Sequence, residues 1–231
     1  MQEVFLHNKA RSFNHNTLVH KFGENRAIDT SPETIWSAGG LYPWSSFDSG
    51  AQTIYAKSSN SGDTGDLTVQ GLDANYNLLT ETKTLTGTGV VTLSNQFLRI
   101  FRLSYENTTS NAGTITTHVT SGSGTVVGQV EVGDNQSLMC VYTVPTKHRG
   151  YLTDYTLSVE KSDDARVEVL TRSSSSSVFQ IKSVLHVYQT TFNQTFPTGL
   201  LIPEKTDIEF RCTGNSNGSV SSCFNLVLQH N

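Results

Sequence analysis

From residue 51 onward the chain repeats one signature: short runs in which β-branched or apolar residues alternate with polar ones, each closed by Gly, Asn, Asp or Ser. A period of two sends alternate side chains to opposite faces of a pleated strand, so each run can bury one face and wet the other. Residues 53–56, 67–72 and 78–85 have this form. The segments between them, Asn60-Ser61-Gly62-Asp63, Asp73-Ala74-Asn75 and Thr86-Gly87-Thr88-Gly89, tolerate positive φ or bond their own backbone. Residues 90–93, 97–103 and 113–119 continue the series, and a second block follows at 136–144, 151–159, 166–171, 178–188, 207–211 and 224–228. No long helical pattern or strand–helix–strand alternation interrupts it, which sets aside nucleotide-binding folds and their phosphate loops. The expected class is all-β: two antiparallel β-sandwich, jelly-roll-like blocks behind an extended N-terminal arm.

The small, polar stretch Thr120-Ser121-Gly122-Ser123-Gly124-Thr125 is the best candidate boundary between blocks. The expected organisation is therefore an arm with an aromatic segment over residues 1–45, a sandwich or small barrel over 46–124, and a jelly-roll-like sandwich over 125–231. The arm shows no sustained period, and its Phe13, Leu18, Val19 and Phe22 cannot be buried by the arm alone. It is expected to lie along the body or reach a neighbouring subunit. Both tryptophans and Tyr42 gather in Thr34-Ile35-Trp36-Ser37-Ala38-Gly39-Gly40-Leu41-Tyr42-Pro43-Trp44. Asp29-Thr30-Ser31-Pro32-Glu33 just before it could cap one short helical turn.

Composition narrows the function. With 16 Lys and Arg against 20 Asp and Glu, the formal charge is −4, and no basic cluster offers a nucleic acid a face for displacing counterions. No run of about 18 apolar residues is present, and the first residues lack the basic-then-apolar layout of a signal peptide, so neither a membrane span nor secretion is expected. Synthesis in a cytoplasm follows. Cys140, Cys212 and Cys223 read as buried free thiols; Cys212 and Cys223 could face each other across a hairpin, but a reducing compartment disfavours the bond.

Catalytic patterns are weak. Asp29-Thr30-Ser31 and Asp63-Thr64-Gly65 resemble the paired loops of acid proteases, yet neither follows the apolar strand that would bury a catalytic aspartate, and turn chemistry explains both. The seven histidines are scattered singly, with His186 on an apolar strand the one to inspect first. Glu81, Glu168, Glu204, Asp207 and Glu209 lie on or beside strands, where a sandwich glycosidase would need two carboxylates at a defined separation; solvated strand faces explain them. The chain is expected to be no enzyme, with no cofactor and no metal. Trp36, Tyr42 and Trp44 could stack on a sugar, with burial as the competing reading. Phe13, Phe22, Trp36, Tyr42 and Trp44 are the candidate interface residues.

These residues also carry a resemblance. Residues 28–42, with Asp29-Thr30-Ser31-Pro32-Glu33 and Trp36-Ser37-Ala38-Gly39-Gly40, then Val69-Gln70-Gly71-Leu72-Asp73-Ala74-Asn75-Tyr76 and Phe97-Leu98-Arg99-Ile100-Phe101-Arg102, resemble a family of virion proteins of marine tailed bacteriophages, including cyanophages. The similarity continues through Gly133-Asp134-Asn135-Gln136-Ser137-Leu138-Met139, Tyr142-Thr143-Val144-Pro145, Gly150-Tyr151-Leu152-Thr153-Asp154 and Glu204-Lys205-Thr206-Asp207-Ile208-Glu209. It implies a structural component of the particle, foremost a capsid decoration (cement) protein on the capsid surface. Its partners would be the major capsid protein and further copies of itself, as a homotrimer. A tail, neck or fibre component that binds a host glycan or a tail protein is the alternative.

Overall fold

The computed structural model describes residues 16–160, 164–214 and 218–231. In chain order the strands are β1 (Asn16–Ile28), β2 (Glu33–Thr34), β3 (Gln52–Ser58), β4 (Asp66–Leu72), β5 (Leu78–Thr84), β6 (Val91–Phe97), β7 (Arg99–Glu106), β8 (Ile115–Thr120), β9 (Ser123–Val130), β10 (Val141–Thr143), β11 (His148–Val159), β12 (Asp164–Ser173), β13 (Gln180–Tyr188), β14 (Thr191–Ile202), β15 (Thr206–Gly214) and β16 (Gly218–His230). A 3-10 turn at Trp44–Phe47 is the one helical element among the described residues. All the paired strands run antiparallel.

The chain forms two compact units, one from residues up to Ile35 together with Cys140–Asn231, the other from Trp36–Met139. In the first, one sheet has the order β1-β16-β11-β14 and the other β10-β15-β12-β13, with β2 added beside β15. From β10 onward, and apart from the β12–β13 hairpin, successive strands alternate between the two sheets, the order of a jelly roll. Side chains from both sheets meet in the core. Phe210 of β15 stacks on Phe224 of β16 with centroids 4.9 Å apart, and Tyr155 of β11 meets Phe210 edge-on at 5.5 Å while its hydroxyl bonds Ser183 of β13 at 2.7 Å. The phenol needs that partner because a buried hydroxyl without one is costly.

The second unit has a sheet of order β6-β3-β8-β9 and one of order β5-β4-β7. β5 lies beside β6 and β7 beside β9, so the sheets close on each other around Ile54, Leu67, Val69, Ile100, Leu103 and Val127. Glu81 of β5 stitches one seam by accepting the backbone N–H groups of Ser94 and Asn95.

Three local expectations are corrected. Residues 16–28 are not an arm: they form β1, paired along its length with β16, while the preceding residues, Phe13 included, lie outside those described. Residues 120–125 are not a linker but the hairpin between β8 and β9, where Gly122 and Gly124 supply φ values of +70° and +90°. No helical turn starts at Pro32. The Asp29 carboxylate accepts the Ser31 N–H in a local turn, and Glu33–Thr34 pairs with β15.

Candidate assembly surface

The aromatic residues expected at an interface are instead core residues of the second unit. Trp36, Tyr42 and Trp44 are all buried, with Tyr42 edge-on to Trp36 at 5.2 Å and to Trp44 at 4.7 Å. The Tyr42 hydroxyl donates to the Ile100 carbonyl, the Trp36 indole N–H reaches Gly39 and Gly40, and the Arg99 guanidinium lies over Trp44. Rings engaged on their faces and edges leave no platform for a sugar. Phe22 is half-buried on β1, 5.7 Å from the His20 ring.

Potential chemistry is likewise tied up internally. Asp207 pairs with Arg172 at 2.7 Å and accepts from Thr143, Glu209 pairs with Arg211 and accepts from Thr34, and Glu168 pairs with Arg166. Glu204 accepts the Lys147 N–H. The Phe179 ring sits 4.9 Å and 4.8 Å from the Arg172 and Arg211 guanidinium carbons, which fixes the loop ahead of β13 to this ion-paired row. Buried Asp63 accepts from the Ser58 hydroxyl and the Ala112 and Gly113 N–H groups, as a staple between turns. Burial pushes the Cys140 and Cys212 thiols up to about 12. His118 is buried, and the same desolvation holds its imidazole below the usual value. No group of three His, Cys, Asp or Glu among the described residues is arranged to hold a metal ion.

One flank of the jelly roll is apolar and poor in charge among the described residues. β13 ends one sheet and β14 ends the other, and the two are joined through Gln189, at φ +46°, and Thr190. Every exposed large apolar side chain among the described residues of this unit lies here: Val178 (65%), Ile181 (50%), Val184 (39%), Tyr188 (67%) and Leu201 (52%). Between Arg172 and Glu204 the only Asp, Glu, Lys or Arg is Lys182. At the far end of the flank from Tyr188, Val178, Gln180, Lys182, Leu200, Leu201 and Pro203 line a groove of about 210 Å³. His186 is exposed on β13, opposite Arg166.

An open strand edge offers unpaired backbone donors and acceptors, and an apolar, charge-poor surround removes the usual guards against pairing. Depletion of charge marks the centre of protein interfaces better than bulk hydrophobicity does. The signal that could have revealed this flank from sequence is the scarcity of charge across residues 173–203, where Lys182 stands alone; the period-2 pattern alone conveys strand, not exposure.

No family model and no curated protein matches the chain. Among solved structures it is similar to a structure of infectious bursal disease virus, Gx strain, over 95% of this chain and 73% of that one, at 9% identity and a TM-score of 0.26. The Gt strain structure gives 95% and 78% coverage, 9% identity and a TM-score of 0.21. A tryptic core variant of Cry1Da from Bacillus thuringiensis gives 88% and 53% coverage, 9% identity and 0.20. TM-scores this low define no common fold, so the architecture of this chain stands on its own strand pairing.

Proposed function

We propose that the protein is a structural, non-enzymatic subunit of a virus particle, acting as a decoration protein that binds over the shell and stabilises it. The observation that carries this reading is the flank of β13 and β14, where a jelly roll with internally paired charges concentrates its exposed apolar residues at two open sheet edges. Such a surface gains stability when another protein covers it. The resemblance of residues 28–42, 69–76 and 97–102 to virion proteins of marine tailed phages implies the same class. On this reading the partners are the major capsid protein and copies of the chain itself, and no nucleic acid, membrane or cofactor takes part.

Electron cryo-microscopy of intact particles, with copy number from quantitative mass spectrometry, tests the proposal. Hundreds of copies on the outer surface of the shell are expected. A few copies at a vertex or on the tail would replace decoration by a tail, neck or fibre role, and absence from purified particles would overturn the virion reading altogether.

A further inference from the structure

We infer that His148 and His230 together form a binding site for a late first-row divalent cation, zinc foremost, which clips the end of β16 to the start of β11. The inference does not rest on the assembly reading above.

Register brings the two residues together. The histidines are scattered singly in the sequence, but His148 opens β11 and pairs directly with His230, the last residue of β16. Residues directly opposite in an antiparallel pair project to the same face, with Cβ atoms roughly 5 Å apart. Both strand ends are tied down. The Asn231 N–H donates to the Lys147 carbonyl at 2.9 Å, and the Glu204 carboxylate accepts the Lys147 N–H. Arg149, the next residue along β11, is turned to the opposite face by the period of two.

Hydrogen bonding decides which ring nitrogens are available. The His148 Nδ1 lies 2.8 Å from the Thr146 carbonyl oxygen, and the His230 Nδ1 lies 2.9 Å from the Asn231 main-chain oxygen. Such oxygens only accept, so each Nδ1 carries the proton, and in the neutral imidazole Nε2 keeps its lone pair. Neither Nε2 has a hydrogen-bond partner among the described residues. A ring that donates Nδ1–H to a main-chain oxygen and presents a bare Nε2 has the arrangement of a metal-ligating histidine. His118 shows the contrast, with both ring nitrogens engaged by Gly124 and Thr116.

The spacing fits one ion. The ring centres are 5.1 Å apart with planes at 80°. An ion about 2.1 Å from each Nε2 lies roughly 3.2 Å from each ring centre, so two imidazoles at a tetrahedral angle have centres about 5.2 Å apart, against about 4.5 Å at a right angle. The observed separation suits tetrahedral zinc better than a square-planar or octahedral ion. Binding turns the exposed His230 ring about its side-chain bonds until both Nε2 atoms face the ion. No third His, Cys, Asp or Glu joins the pair among the described residues, so water fills the remaining positions.

Calorimetric titration of the full chain with zinc chloride, after treatment with a chelator, is expected to show saturable binding of one ion per chain below millimolar zinc. H148Q and H230Q are each expected to weaken it about tenfold or more. Because His230 is exposed, H230Q should leave the circular dichroism unchanged while removing the rise in thermal midpoint that zinc gives the unmodified protein. Proton–nitrogen correlation spectra locate the ion: the Nε2 resonances of His148 and His230 should shift on zinc addition. No saturable binding up to millimolar zinc overturns the inference, and so does binding that H230Q leaves intact or a shift confined to other histidines.

Discussion

At the scale of single residues, buried Asp63 holds two turns together. Burial works to raise the Asp63 carboxyl, yet hydrogen bonds from Ser58, Ala112 and Gly113 more than offset it and leave the group below its usual value. Asp63 therefore contributes stability in full above its unfolded value near pH 4, and the contribution is lost as pH falls through the lower folded value. D63N is expected to destabilise the second unit by about 2 kcal/mol at pH 7, the scale of hydrogen bonds to a charged group, and the gap from the unmodified protein should shrink at pH 3. Urea unfolding at the two pH values checks both the size and the sign. The thiols give a second expectation. With Cys140 and Cys212 buried and pushed to about 12, brief alkylation of the native protein at pH 8 should modify half-buried Cys223 first, with the other two protected until unfolding; peptide mass spectrometry reads the order. Free thiols were legible in the sequence. Their geometry was not, because Cys212 and Cys223 are close in sequence but belong to strands in different sheets, Cys212 opposite Glu33 and Cys223 opposite Phe22.

Among elements, the strands that sequence made visible are those with an apolar inward face, and the missed ones lack it for identifiable reasons. β1 places buried Lys21, Gly23 and Asn25 opposite Phe224, Ser222 and Val220, so its alternation is hidden by polar or absent side chains. β14 contains Pro197 and Gly199, residues that read as a loop but are tolerated where a strand ends its sheet; Gly199 has a φ of +70° at the irregularity between Leu152 and Asp154 of β11. The flank of β13 and β14 was hidden for a different reason: a period-2 strand reads the same whether its outer face meets water or a partner. The aromatic segment misled in the opposite direction, because an aromatic cluster suits a core as well as an interface. Close approach of strands is equally invisible in the sequence. At Gly71, where the register of β4 against β7 shifts, an added Cβ would lie 1.9 Å from the Arg99 carbonyl oxygen and 2.9 Å from the Phe97 ring. G71A must therefore displace backbone, and a loss of about 3 kcal/mol is expected, the upper range for overpacking, read as a fall in denaturation midpoint.

For the whole molecule, the governing fact is that the jelly-roll unit is discontinuous in sequence. Its first strand pairs with its last, Phe22 opposite Cys223, so the sheet closes only when nearly the entire chain is available. Such long-range pairing predicts slow folding. Yet the departure and return of the chain are side by side. Cys140 donates to the Ile35 carbonyl at 2.9 Å, Trp36 bridges Met139, and Ser37 donates to the Leu138 carbonyl at 3.1 Å, so the two segments form an antiparallel ribbon. A two-residue turn can span such a ribbon. Replacing residues 37–138 by Asn-Gly is therefore expected to leave a chain that folds into the jelly roll by itself. Closure entropy favours the shortened chain by about 3 to 4 kcal/mol, since each halving of a loop is worth roughly 0.6 kcal/mol and 102 residues become two. A cooperative urea transition with β-type circular dichroism and dispersed amide resonances is the expected result. A chain with collapsed amide dispersion would show instead that residues 37–138 are needed to fold the jelly roll, and that the two compact units are one cooperative body.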